Sequence, residues 1–178
     1  GSEQNSSFEV SVESYEDLTK NSSDRYEYIY PNVEFNKEFG GTNLPGSISL
    51  NTSLFQKQFD TNKTKQSLIT DIIYTSDTSF NDRGLSSDFK LLFKNPNIRE
   101  KTGSKNQSNT NTKLLTKLMY TMSYPLKKEG EFYNSFLKPK LSLRFSPNNT
   151  KNMSNEDRRL DISNISSINR LGISDGVE

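Results

Sequence analysis

The side chains able to do chemistry in this chain are carboxylates, lysines, tyrosines and hydroxyls, because the chain has no cysteine and no histidine. That removes disulfides, thiolate metal sites, cysteine nucleophiles and the commonest general base. Two acid pairs remain, Glu16-Asp17 and Glu156-Asp157. Both fall in expected loops without an activating partner, so solvated charge is their expected role rather than acid–base work. GGTNLPG, residues 40–46, lacks the GK[ST] ending and the βα surroundings of a phosphate loop. Asn-x-Ser/Thr triplets such as Asn21-Ser22-Ser23 and Asn152-Met153-Ser154 arise by chance in a chain this rich in those residues. No catalytic, cofactor-binding or metal-binding residue is assigned, and no enzyme is expected.

The row of cations Lys90, Lys94, Lys117, Lys138, Lys140 and Arg144 is more informative. At alternate positions of neighbouring strands these six would gather on one wall as a positive patch. Such a patch suits the phosphates of an anionic partner, lipopolysaccharide among them. A plain solvated row of polar side chains would have the same spacing.

The elements that must position this row are β-strands. In a strand, successive side chains point to opposite faces, so period-two alternation marks a sheet with one apolar and one polar face. The alternation recurs along the chain. Phe8, Val10 and Val12 alternate with acids and serines, and Tyr26, Tyr28 and Tyr30 alternate with Arg25 and Glu27. At Pro31-Asn32 the phase slips to Val33 and Phe35, as a bulge or strand-entry proline would cause. Ile48 to Leu54 and Leu68 to Tyr74 flank the polar turn DTNKT and read as a hairpin, and Phe89, Leu91 and Phe93 carry the next strand. Leu118 to Tyr124 and Leu137 to Phe145 complete the series around a KKEGE turn. Residues 95–112 and 146–157 are polar throughout and read as two long loops on the same side of the sheet.

Composition narrows what such a sheet can be. Only 30% of the 178 residues are hydrophobic, thin for a conventional core, while 11% aromatic residues argue against disorder. Alanine is absent and turn and strand formers abound, which disfavours helix. No apolar run reaches the length of a membrane helix and the first twenty residues lack a signal-peptide pattern, so the chain is expected either to be soluble or to enter a membrane as a barrel. Its ends, Gly1-Ser2 and Val177-Glu178, look like the cut edges of something longer. Residues 1–40 hold nine acids against three bases, leaving 20 bases against 13 acids in the remainder. The runs are about 9 to 11 residues long, the length a tilted transmembrane strand needs. A charge on the lipid face near the midplane costs roughly 2–4 kcal/mol, so in a barrel the face bearing Lys138, Lys140 and Arg144 must look into a watery lumen. A soluble β-sandwich would show similar alternation.

One stretch is distinctive. Arg144-Phe145-Ser146-Pro147 ends a strand, Asn164-Ile165-Ser166-Ser167-Ile168-Asn169-Arg170 follows after a loop, and Gly172 to Glu178, with Asp175 between them, closes the chain. This arrangement resembles the barrel domain of the LptD family of lipopolysaccharide-assembly proteins. Family barrels commonly carry Phe where Ile165 stands and a basic residue where Gly176 stands. The earlier DRYEYIYPNVEF and RGLSSDFKLLFKN look like preceding strands of the same barrel. The resemblance implies an all-β fold: residues 1–178 would be about seven or eight antiparallel up-and-down strands in the wall of a large transmembrane barrel. It also implies a Gram-negative outer-membrane location and insertion of lipopolysaccharide into the outer leaflet. The implied partners are outer-membrane lipid, a lipoprotein plug of the LptE kind and a periplasmic bridge protein of the LptA kind, with no nucleic acid and no cofactor. A soluble sandwich used for binding or adhesion, and the wall of a porin or receptor, are the alternatives.

Overall fold

The computed structural model describes residues 2–3, 5–19, 25–41, 44–59, 63–101, 108–147, 160–162, 164–173 and 176–177. Twelve strands, no helix among the described residues and antiparallel pairing throughout make the chain all-β. In chain order they are β1 (Ser2–Glu3), β2 (Ser6–Glu16), β3 (Tyr26–Gly41), β4 (Leu44–Phe59), β5 (Thr64–Thr75), β6 (Ser79–Phe80), β7 (Ser86–Lys101), β8 (Ser108–Thr112), β9 (Leu115–Ser123), β10 (Leu126–Glu129), β11 (Asn134–Leu137) and β12 (Lys140–Phe145). The main sheet runs β1-β2-β3-β4-β5-β7-β9-β12, in chain order, with β6 and β8 attached to β7 and β10-β11 paired apart from it.

The register explains why these sequences form these strands. Val10 faces Val33, Val33 faces Leu54, and Leu54 faces Leu68, so apolar side chains align across four strands. Ile72 faces Phe93, Phe89 faces Tyr120 and Tyr120 faces Leu143, which carries the alignment to β12. A one-residue slip anywhere would throw a whole strand's apolar set onto the polar face. Where the sequence itself slips phase, the backbone compensates. The register between β3 and β4 shifts between Ile29 and Asn32, around the cis Tyr30–Pro31 peptide. This bulge keeps the tyrosine run and the Val33–Phe35 run on one face, as the sequence phase slip predicts.

The expected loop at 95–112 is a correction. β7 continues to Lys101, and β8 returns beside it with Asn97 opposite Thr112. Lys94 faces Leu115 in the same register, three residues back along each strand, so β8 and β9 are one strand in two pieces. The break lies at Pro96, which has no N–H for the ladder; its carbonyl still accepts from Lys113 N–H at 3.3 Å. The hairpin from β9 to β12 repeats the device. Met122 faces Leu141 and Leu126 faces Leu137 in a continuous register, interrupted where Pro125 and Pro139 lie. Its tip is at Gly130–Tyr133, close to the expected KKEGE turn, and Leu137 therefore belongs to β11 rather than to one strand running into Phe145. Of the second expected loop, 146–157, only Ser146 and Pro147 fall within the described residues.

Buried residues concentrate on one side. Leu92 and Met119 lie under Ile168, with Ile73 packed against the cluster. Ile173 and Val177 are buried beside them in sequence, in the C-terminal segment. The segment made of residues 160–162, 164–173 and 176–177 therefore covers part of the sheet without joining it.

Candidate functional site

The two faces of the sheet divide by chemistry. One presents Leu54, Leu68, Ile72, Phe93, Leu118, Leu143 and Phe145, all of them exposed. Aromatic side chains stand at both ends of this face: Tyr26, Tyr28 and Tyr30 near one end, Phe89, Tyr120 and Tyr124 near the other. The opposite face carries serines, asparagines and charged groups from β2 to β12, paired in register as Ser7 with Asn36, Asn51 with Asp71, and Asp88 with Thr121, together with the buried apolar side chains of Ile29, Ile69, Leu92, Leu115 and Met119. This polar face is the one that the C-terminal segment covers. Met119 is 1% exposed there, whereas its neighbour Leu118 on the apolar face is 39% exposed.

The cations expected to share one face do so by register. Lys90 and Arg144 both face Met119, Lys94 faces Leu115, Lys117 faces Leu92, and Lys140 faces Ser123. Lys138 lies between β11 and β12, outside the ladder. They do not make one open patch. Lys94 is 1% exposed and its ammonium meets Asp71 Oδ2 at 2.5 Å. Lys117 is buried. Arg144 donates from Nε to the Ser167 carbonyl at 3.2 Å and from its terminal nitrogen to the Ile165 carbonyl. Lys138 and Lys140 remain exposed and Lys90 half-buried. The covering segment decides this, and no periodicity in 160–178 announced that it would fold back.

The motif residues are spent on holding that segment. Arg144 joins the two halves of the distinctive stretch directly, tying the last strand to the Asn164–Arg170 turn. Asn164 and Asp161 brace each other, each backbone N–H donating to the other's side-chain oxygen at 3.2 and 2.9 Å. Asn169 accepts from Ile173 N–H at 3.2 Å and donates to the Ile173 carbonyl at 3.3 Å, closing a turn in which Gly172 has φ +60°. Ser146 donates to the Thr116 carbonyl at 3.2 Å. Phe145 is exposed on the apolar face, Pro147 is exposed, and Ser166 and Arg170 are half-buried. Asp175 and Glu178 lie outside the described residues.

A polar cleft of about 280 Å³ opens between this segment and the sheet, lined among others by Glu34, Asn51, Asp71, Lys94 and Asn169. Asp71 Oδ1 is buried there without a hydrogen-bond partner. Glu16, read as solvated loop charge, instead ends β2 and pairs with Arg25 across the turn to β3; the Glu156-Asp157 pair lies outside the described residues. Among the described residues no cluster of three or more acids is placed to hold a metal ion.

No protein-family model, no curated protein and no solved structure matches the chain.

Proposed function

We propose that the chain is part of the wall of an outer-membrane β-barrel of the lipopolysaccharide-assembly type, its apolar face turned to lipid and its polar face to a watery lumen. The observation that carries this reading is the distribution of burial: the strand face bearing Leu54, Leu68, Ile72, Phe93 and Leu118 lies open across the sheet, while the buried residues lie on the opposite, more polar face, part of which the C-terminal segment covers. Soluble monomers rarely expose contiguous apolar patches beyond a few hundred Å². A sandwich would need a second sheet on that face, and the only other sheet among the described residues is the two-stranded β10-β11 pair. Aromatic residues at both ends of the apolar face match the girdles that membrane barrels place at their two interfaces. Between neighbouring strands the hydrogen-bonded ladder satisfies the backbone, as lipid demands.

The lipopolysaccharide part of the reading rests on the Arg-Phe-Ser-Pro and Asn-Arg elements, and the bonds from Arg144 to the Ile165 and Ser167 carbonyls support treating them as one unit. In this function no bond is broken. Glycolipid would arrive from a periplasmic bridge protein, pass a lipoprotein plug and leave into the outer leaflet, guided by the exposed cations Lys138 and Lys140. The test has two arms. The protein should float with liposomes and require detergent when lipid is absent; a monodisperse, β-rich protein in plain buffer would sink the wall reading. Photo-crosslinking of lipopolysaccharide to this wall should drop several-fold in a Lys138→Gln/Lys140→Gln variant, and unchanged crosslinking would remove the export assignment.

A further inference from the structure

We propose that β10 and β11 form a hinged paddle that bends at the joint between Pro125 and Pro139 and lies flat on the lipid surface beside the wall. The paddle rests on the wall reading above and adds a second lipid contact to it, made by the hairpin rather than by the sheet.

Among the described residues the hairpin is a two-stranded piece apart from the main sheet, with no third strand on either edge. Its register is nevertheless that of β9 and β12. Met122 faces Leu141 before the joint and Leu126 faces Leu137 after it, so no residue is inserted or lost between them. Period two therefore carries the two faces of the sheet into the hairpin. Leu126, Lys128, Ser135 and Leu137 continue the apolar face that holds Tyr124, whereas Lys127, Glu129, Asn134 and Phe136 continue the polar one. On the polar face Lys127 pairs with Glu129 and lies 5.9 Å from the centre of the Phe136 ring. The outward side and the tip are open: Leu137 is 64% exposed, Tyr133 75% and Phe132 94%.

The joint is where the backbone gives. Tyr124 N–H donates to the Pro139 carbonyl at 3.2 Å, but Pro139 has no N–H to return the bond. By the same register Pro125 stands opposite Lys138 in the next row, so donors are missing from both strands within two rows. Height decides which way the hairpin bends. At about 3.3 Å per residue a straight hairpin would lift its tip roughly 20 Å beyond the Tyr124 row, whereas a headgroup layer is only about 5–8 Å deep. Phe132 and Tyr133 would then stand in water. Bent outward, the hairpin brings Leu126, Leu137, Tyr133 and Phe132 to the depth where aromatic and aliphatic side chains settle. Lys128 and Glu131 keep their charges among hydrated headgroups there. Lipid is the occupant because the outward face of the hairpin is the same face that meets lipid in the wall, continued past the last aromatic row.

The chain has no tryptophan, so one placed at a chosen position reports alone. Phe132→Trp, Phe136→Trp and Phe89→Trp are each folded into phosphatidylcholine vesicles, with and without lipid brominated near the headgroup end of its chains. Bromine quenches only a ring in contact with lipid. Phe89→Trp, in the aromatic row of the wall, should lose about half of its emission, and Phe132→Trp a similar share. Phe136→Trp, on the face turned to water, should lose little. Pro139→Val restores the missing donor, so in Phe132→Trp/Pro139→Val the quenching should fall to the Phe136→Trp level, with β content by circular dichroism unchanged. Unquenched Phe132→Trp beside quenched Phe89→Trp would overturn the paddle, as would equal quenching at 132 and 136 or quenching that Pro139→Val leaves untouched. A Phe132→Trp emission shifted to the blue without quenching would overturn it too, by showing that protein, a second copy included, covers the tip. Unquenched Phe89→Trp would instead remove the wall reading, and the paddle with it.

Discussion

Lys94 is the residue on which the polar face depends most. A lysine ammonium 1% exposed is tolerable only because Asp71 neutralises it across the β5–β7 pair, in directly facing positions. Removing one partner of such a pair strands a buried charge, and Asp71 already has one oxygen without a hydrogen bond. Lys94→Met is expected to destabilise the fold by about 3 kcal/mol. The double change Lys94→Met/Asp71→Leu should recover most of that loss, both being read from urea titrations in detergent micelles followed by circular dichroism; an equal loss in the two variants would show that the pair does not matter. The shared face of Lys90, Lys94, Lys117, Lys140 and Arg144 was legible in the sequence, since period two alone assigns it. The burial of Lys94 and Lys117 was not. It depends on Ile168 and Ile173 folding back from far along the chain, and a strand pattern carries no information about what later covers it.

At the scale of elements, prolines punctuate hairpins without ending them. Pro96, Pro125 and Pro139 each lack a ladder donor, yet strand pairing resumes beyond them in the same register. Residues 95–112 look like a loop in sequence because neither face of β8 is apolar, and alternation is visible only where one face is. What holds β8 is the backbone ladder to β7, which leaves no mark in side-chain pattern. The slip at Pro31 was legible for the opposite reason: strong apolar runs on both sides made the change of phase plain. Gly46 is the most constrained point of the hairpins. Its φ is +112°, and a Cβ there would run into the Thr75 carbonyl oxygen. Gly46→Ala should cost about 2–3 kcal/mol, combining backbone strain with the clash. Gly84→Ala, at φ +80° but facing open space, should cost only about 1 kcal/mol. Thermal unfolding of both variants checks the contrast, and equal losses would contradict it.

For the whole molecule, the decisive asymmetry is between faces, and it sets the outcome of charge substitutions. Ile72 sits mid-sheet on the apolar face between Leu50 and Phe93, while Asn51 is next to Leu50 on the polar face. In lipid vesicles Ile72→Lys should cost about 2–4 kcal/mol and Asn51→Lys little. In detergent-free buffer a soluble sandwich would also suffer from Ile72→Lys, but it would unfold cooperatively without lipid; the membrane wall would not fold at all. The all-β antiparallel architecture was legible because the long strands follow one another across the sheet in chain order, so local pattern and global order coincide. The covering segment has a further consequence for the space it faces. In the barrel proposed above, a wall that carries its own folded strip on the lumenal side would not be a bare pipe. If such a barrel admits ions, its electrical conductance would be set by the gap left beside Ile168 and Ile173 rather than by the number of strands, with the bonds from Arg144 to the Ile165 and Ser167 carbonyls as the latch that fixes that gap.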